Sequence, residues 1–172
     1  MIYYITYTLK MISNYEKYIS SYPHIMFIAL IVLCHMNHIS YVYVIGYIVN
    51  IIANYGLKLG FRSMIGSAGN RPIPYHPAPP FVVGGIITSS VSRANAYGFP
   101  SGHAQTVGYF LAFLHQFLPW KVWHPVWIIA ALAVAGWLMH TRIAFQRHTP
   151  VQVLFGFAFG IAVFRLIHSF IN

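Results

Sequence analysis

Acidic side chains are nearly missing from this sequence. Its 172 residues include one Asp or Glu against ten Lys and Arg and ten His, which gives a formal net charge of +9. Charged residues make up 6% of the chain, where a soluble domain has about a quarter, and 58% of the residues are hydrophobic. This composition is typical of a membrane protein with an anionic partner. Nucleic acid is a poor candidate for that partner, because the basic residues are scattered among apolar segments.

The single cysteine and the single carboxylate side chain restrict the possible chemistry further. Cys34 cannot form an internal disulfide, and no arginine lies near it in the sequence, which disfavours a cysteine phosphatase. A two-metal phosphatase needs several carboxylate ligands, and Glu16 is the only one, so we expect no metal and no other cofactor. The stretch GSAGNRP lacks the P-loop pattern. If the ligand is a phosphate, histidine remains as the nucleophile, with histidine as acid and Arg and Lys as charge clamps.

Long apolar runs occupy most of the chain after residue 22. An apolar helix needs about 20 residues to cross the hydrocarbon layer of a membrane. Five segments approach that length: 23–39, 40–58, 101–119, 123–143 and 149–170. They predict an all-α fold, a polytopic helical membrane bundle over 23–172. The tyrosine-rich residues 1–22 predict an interfacial N-terminal segment, and they lack the pattern of a cleavable signal peptide.

A long connection at 61–99 separates the second and third predicted spans. Its stretch RPIPYHPAPP excludes a regular helix, and a loop longer than about 15 residues is usually functional or disordered. With five spans, this loop shares one face of the membrane with the start of the third span, the end of the fourth and the start of the fifth. The polar and basic residues on that face are Lys58, Arg62, Arg71, Ser101, Gly102, His103, Arg142 and His148. We therefore expect a functional site at this face.

Three short motifs on that face carry the candidate chemistry. They are Arg71-Pro72, the stretch PSGH at 100–103, and Thr141-Arg142 followed after five residues by His148. In this order they resemble the three signature motifs of the type 2 phosphatidic acid phosphatase superfamily, whose integral-membrane members remove phosphate from lipids. The resemblance implies that His148 attacks phosphorus and carries the phosphoryl group. It implies that His103 is the general acid that protonates the leaving oxygen.

The same resemblance implies a set of phosphate-binding residues. Arg71 and Arg142 would bind the non-bridging oxygens. Ser101 and Gly102 begin a helix, whose free N–H groups and positive dipole end can bind an anion; alternatively, PSGH is only a capped helix start with Ser101 as the N-cap. Cations near His148 would lower its pKa and keep the imidazole neutral, as a nucleophile requires.

Two positions depart from the family's motifs. The lysine that begins the first motif is replaced by Met64, and either Lys58 or Arg62 could supply the missing charge. The aspartate that normally orients the nucleophilic histidine is replaced by Gln152, whose side-chain oxygen could still accept the ring N–H. Gln152 could instead only cap the fifth span, because Thr149-Pro-Val-Gln has capping-box spacing.

The stretches GFPSGHAQ and RHTPVQVLFG, with Gln in place of Asp, look like the dolichyl diphosphate phosphatases. We predict a metal-independent hydrolase that converts a polyisoprenyl diphosphate to the monophosphate through a phosphohistidine. The alternatives are a phosphatase of phosphatidate or another glycerolipid phosphate, and an inactive lipid-binding scaffold. Family resemblance implies an active face toward the lumen of the endoplasmic reticulum or the cell exterior, and we favour the lumenal orientation. The positive-inside rule instead places the Lys- and Arg-rich face in the cytoplasm.

Overall fold

The fold is known from a computed structural model that describes residues 21–72, 97–118 and 125–172. Within these ranges the chain forms five α-helices: α1 Tyr22–Met36, α2 Val42–Ile65, α3 Gly102–Phe117, α4 Pro125–Ala144 and α5 Pro150–Ile171. A short 3₁₀ helix, Gly66–Gly69, follows α2. The predicted all-α membrane bundle is confirmed. Most of the predicted interfacial segment 1–22, and residues 73–96 of the predicted loop, lie outside the described residues.

The helices differ in how well they could cross a membrane. Three stretches in the described ranges are long and apolar enough to do so: Val42–Gly69, Pro125–Ala144 and Pro150–Ile171. Helix α1 is apolar but has 15 residues, and α3 has 16 residues with polar side chains in its buried face. The number of five spans therefore stays a prediction. Large apolar side chains on the outer surfaces of α4 and α5 are exposed, as contact with lipid requires; they include Trp127, Ile129, Leu132, Leu154 and Leu166.

Helix α2 is longer than the sequence predicts. We expected the second span to end at residue 58 and the loop to begin at 61, but the helix continues to Ile65 and is followed by the 3₁₀ turn. The loop boundary at 61 is therefore wrong. The physical reason is that no proline interrupts the stretch LGFRSMI, and the helix ends only at Gly66, whose φ of 53° lies in the left-handed region that glycine adopts without steric cost.

An aromatic core joins α1, α2, α3 and α5 at the end of the bundle away from His148. Tyr43, Tyr47, Tyr109 and Phe164 are all buried there. The hydroxyl of Tyr47 donates to the carbonyl of Pro23 at 2.8 Å, and that of Tyr109 donates to the carbonyl of Tyr43 at 2.8 Å. Because these two hydroxyls have partners, the rings of Tyr47 and Tyr109 are buried without an unsatisfied polar group. The two hydrogen bonds join α2 to α1 and α3 to α2.

Helices α3 and α5 approach each other so closely that glycine is required between them. A Cβ atom at Gly160 would overlap the carbonyl oxygen of Gln105, and one at Gly156 would overlap that of Ser101. The atoms that would clash belong to the backbone and cannot rotate away. This close contact brings the first turn of α5 to the start of α3, where the N–H of Ser101 donates to the carbonyl of Gln152 at 3.0 Å.

Replacing the glycine at this contact tests the packing. We expect Gly160→Ala to destabilise the fold by about 1–3 kcal/mol, because the new methyl group must push two backbones apart. The matched control is Gly136→Ala on α4, where no atom lies within 4 Å of an added Cβ. Thermal unfolding in detergent should show a lower Tm for Gly160→Ala and an unchanged or higher Tm for Gly136→Ala. Equal Tm values for the two variants would contradict the close contact between α3 and α5.

Candidate active site

A tight turn after α4 brings Arg142 and His148 together. The N–H groups of Arg147 and His148 both donate to the carbonyl of Arg142, at 3.0 and 3.1 Å, and that of Gln146 donates to the carbonyl of Ile143 at 2.8 Å. Gln146 has a left-handed φ of 53°. This is the hydrogen-bond pattern of a Schellman C-cap. It turns the chain back on itself, so that the side chains of Arg142 and His148 are both buried at the same end of the bundle.

The imidazole of His148 is held through both of its nitrogens. Nδ1 lies 2.9 Å from the carbonyl oxygen of Gly98 and 3.3 Å from Oε1 of Gln152. Nε2 lies 3.0 Å from Nη1 of Arg71, which can only donate. This network assigns the proton to Nδ1 and the lone pair to Nε2. Nε2 is therefore the nitrogen with nucleophilic character.

Burial is the main cause that holds the pKa of His148 well below its ordinary value of 6.5. The positive charges of Arg71, Lys58 and Arg142 lower this pKa further, in that order. His103 contributes in the same direction. No acidic side chain lies within the described residues to oppose these charges, because the only one in the chain is Glu16. The imidazole is neutral at neutral pH.

Lys58 and Arg62 occupy different environments, although they lie one turn apart on α2. Lys58 is 3% exposed, and its charge acts on His148. Arg62 is exposed on the last turn of the helix, and its charge acts on Tyr97 instead. Met64, at the position of the missing lysine, is also exposed. The structure thus brings Lys58, and not Arg62, to the cations around His148.

The start of α3 provides Ser101, Gly102 and His103. Ser101 is buried and caps the helix, because its Oγ accepts from the N–H of Ala104 at 3.4 Å. Its own N–H donates to Gln152, so this group is already engaged. The ring of His103 is half-buried and packs edge-on against Tyr22, with 5.3 Å between centroids. The cap exists; a phosphate-binding role for Ser101 and Gly102 stays a prediction.

Gln152 makes the contacts that both alternatives from the sequence require, and its role in orienting His148 stays a prediction. It forms the capping box of α5 with Thr149, since each residue's side chain accepts from the other's backbone N–H, at 3.1 and 3.3 Å. The same Oε1 faces Nδ1 of His148. One side-chain oxygen therefore both starts the helix and contacts the candidate nucleophile.

Sequence reasoning missed a buried amide network between α2 and α3. Nδ2 of Asn54 donates to Oε1 of Gln105 at 2.7 Å and to the carbonyl of Pro100 at 3.4 Å. Nε2 of Gln105 in turn donates to the carbonyl of Asn50 at 2.7 Å and to its Oδ1 at 2.8 Å. The available signal was the pair of asparagines one turn apart inside an apolar run, because polar groups at membrane depth need partners. The network fixes the PSGH segment against α2.

The arrangement as a whole suits an anion. Nε2 of His148 carries a lone pair, and it is surrounded by side chains that donate and carry positive charge. In the part of the chain that the structure describes, no group of three or more His, Cys, Asp or Glu side chains is placed to bind a metal ion. A phosphate that bound these cations would present its phosphorus to a neutral imidazole.

Comparison with known proteins identifies one family match and two relatives that align with part of the chain. A family model described as the PAP2 superfamily matches residues 41–172. The chain is 40% identical over 74 residues to a lipid A 1-phosphatase from Rhizobium johnstonii; the aligned region covers 42% of this chain and 27% of the relative. It is 43% identical over 63 residues to a lipid A 1-phosphatase from Rhizobium etli; this aligned region covers 36% of this chain and 24% of the relative. The matches span about a quarter of each relative's length. No solved structure shows significant similarity to the chain.

The low pKa of His148 predicts a loss of stability in acid. The unfolded chain takes up a proton on this residue near pH 6.5, whereas the folded protein does so only at lower pH. The stability that the neutral ring contributes is therefore fully present above pH 6.5 and is lost as the pH falls below it. We expect His148→Gln, which cannot be protonated, to lose less stability than wild type between about pH 7 and pH 5. Thermal unfolding across this range measures the difference, and parallel curves would contradict the shifted pKa.

Proposed function

This chain belongs to the PAP2 superfamily, and on that premise we propose that it is a membrane lipid phosphatase with His148 as its nucleophile. The observation that carries the proposal is the buried, neutral imidazole whose Nε2 faces the Arg71 guanidinium. A neutral ring among cations is the state that a histidine nucleophile needs for attack on an anionic phosphate.

The reaction has two steps. In the first, Nε2 of His148 attacks phosphorus, the bond to the leaving oxygen breaks, and His103 donates a proton to that oxygen. In the second, water attacks the phosphohistidine while His103 takes a proton from the water, which releases inorganic phosphate and restores both histidines. When Nε2 attacks, positive charge develops on the ring, and the Nδ1–H bonds to Gly98 and Gln152 stabilise it.

The cations bind the phosphate oxygens. Arg71 is half-buried and contacts Nε2 directly, so a phosphate oxygen that accepts from Nη1 in place of Nε2 frees the lone pair for attack. Lys58 and Arg142 are buried, their charges act on His148, and they supply further positive charge. Because these charges are desolvated, each interaction with the transferring phosphoryl group is stronger than it would be in water.

An apolar cavity of about 300 Å³ between α1, α3 and α4 supports a lipid substrate. Its lining includes Val107, one turn after His103 on α3, and Leu138, one turn before Arg142 on α4. The cavity extends along the two helices to Leu114 and Trp127. A hydrocarbon chain that enters here would place its phosphate near His103 and Arg142, one turn beyond the lining.

Two observations bear on the lipid. The stretch RHTPVQVLFG, with Gln152 in place of aspartate, favours a polyisoprenyl diphosphate, which we propose as the substrate. The names of the two Rhizobium relatives favour a phosphorylated glycolipid of the lipid A type as the second candidate. The location in the endoplasmic reticulum and the lumenal active face belong to the first candidate and stay predictions.

Phosphate release by the purified protein tests the proposal. Wild type in detergent with EDTA should release phosphate from dolichyl diphosphate, with lipid A and phosphatidate as comparison substrates. We expect His148→Asn to lose activity about a thousandfold or more, and His103→Asn about 10²-fold to 10⁴-fold. Substantial activity in His148→Asn would overturn the nucleophile assignment, and loss of wild-type activity in EDTA would overturn the metal-independent mechanism. A wild-type protein that binds phospholipid but hydrolyses none of the three would be a scaffold.

The pair Lys58 and Arg62 offers a matched test of the cation assignment. We expect Lys58→Met to lower kcat/KM by about 10²-fold to 10³-fold, because one buried charge no longer stabilises the transferring phosphoryl group. Its Tm should not fall, because a desolvated cation among like charges is removed. Arg62→Met, on the exposed last turn, should keep near-wild-type kcat/KM. A larger loss of kcat/KM in Arg62→Met than in Lys58→Met would assign the phosphate-binding charge to Arg62.

A further inference from the structure

We propose that Gln152 is a positioning residue whose amide joins the three motif segments, and that the site requires an amide there and not a carboxylate; this rests on the proposed function of the site. Gln152 is 1% exposed, and each polar atom of its side chain has protein partners. Its two ends make different contacts, and only an amide can make both.

The oxygen end contacts the nucleophile. Oε1 accepts from the N–H of Thr149 at 3.1 Å and lies 3.3 Å from Nδ1 of His148. Since the carbonyl of Gly98 is closer to Nδ1, at 2.9 Å, Gln152 is the second acceptor for this ring N–H. A carboxylate oxygen could serve the same purpose.

The nitrogen end contacts the segment before Arg71. Nε2 donates to the carbonyl of Gly69 at 3.2 Å and to that of Asn70 at 2.9 Å. Asn70 directly precedes Arg71, whose Nη1 lies 3.0 Å from Nε2 of His148. One side chain therefore contacts one ring nitrogen itself and fixes the residue that contacts the other.

The segment around PSGH, residues 98–101, is held by Gln152 and by the carbonyl of Gly69. The carbonyl of Gln152 accepts from the N–H of Ser101 at 3.0 Å. The carbonyl of Gly69 also accepts from the N–H groups of Gly98 and Phe99, both at 3.1 Å. A Cβ on Gly98 would lie 2.7 Å from Oε1 and 2.9 Å from Nε2 of Gln152, so a larger residue at position 98 would have to displace the amide.

A carboxylate at position 152 would lose the contacts of the nitrogen end. It has no N–H to donate, so it would turn a negative oxygen toward the carbonyls of Gly69 and Asn70 and leave them without this donor. It would also place a negative charge beside His148, Arg71 and Lys58, which would raise the pKa of the imidazole. A neutral amide orients the ring and leaves the cations available to the substrate.

The test compares Gln152→Glu with Gln152→Met and with Gln116→Glu. Glu keeps the length of the side chain but replaces the donor with a charge; Met keeps the length without either polar atom; Gln116 is exposed near the end of α3. We expect Gln152→Glu and Gln152→Met to lower kcat/KM by about tenfold to a hundredfold, the range for residues that orient a reacting group. Gln152→Glu should also move the acid limb of the pH profile upward, because a nearby negative charge raises the pKa of His148. Gln152→Met should not move it, and Gln116→Glu should match wild type.

Amide hydrogen exchange separates this proposal from the phosphatase proposal. The N–H groups of Gly98 and Phe99 should exchange faster in both Gln152 variants, because the carbonyl of Gly69 that they bind is no longer fixed, and they should be unchanged in Gln116→Glu. This readout needs no substrate, so it remains decisive if wild type proves inactive on every lipid, and Gln152→Met provides it if Gln152→Glu does not fold. Wild-type exchange of these two N–H groups in either Gln152 variant would overturn the proposal. Wild-type kcat/KM together with a wild-type pH profile in Gln152→Glu would also overturn it.

Discussion

Buried positive charge without a carboxylate is the constraint on which this site depends. Lys58 and Arg142 are 3% and 4% exposed, and no acidic side chain lies among the described residues. Desolvated like charges repel one another and destabilise the folded chain. The site is therefore built at a cost in stability, which a phosphate dianion would offset if it binds as we propose. The same cations add to the burial that lowers the pKa of His148 and keeps the ring unprotonated.

Neutral dipoles carry out the positioning that carboxylates often perform elsewhere. The His148 ring donates to the carbonyl of Gly98 and faces the amide oxygen of Gln152, while Asn54 and Gln105 hold the start of α3 against α2. Each of these groups accepts or donates a hydrogen bond without adding net charge. The side chains are oriented, and the positive potential is preserved.

The rest of the bundle supplies the stability and, in the function that we propose, the approach for a lipid. Buried tyrosines with satisfied hydroxyls pack at the far end, and Gly156 and Gly160 let α5 lie directly against α3. That contact brings the carbonyl of Gln152 to the N–H of Ser101. The apolar cavity between α3 and α4 begins one turn from the candidate catalytic residues, so the polar chemistry lies at the edge of an apolar medium.

The sequence by itself determined the features that depend on neighbouring residues or on composition. Apolar runs predicted the helical membrane bundle, which the structure confirms, and the scarcity of carboxylates made histidine the candidate nucleophile. The helix caps at Ser101 and Thr149 were readable because a cap is a local pattern. The end of α2 was misplaced, because glycine and basic residues near 60 resemble a loop but do not break a helix that packing supports.

Only the tertiary structure decided the contacts between distant segments. Lys58 and Arg62 have the same charge, and burial alone distinguishes them. The acceptor nearest to His148 Nδ1 is a backbone carbonyl 50 positions away, and the carbonyls that hold Gln152 are 82 and 83 positions away. Every residue has a backbone carbonyl, so no residue type marks the ones that matter; their roles arise only when packing brings them to the site.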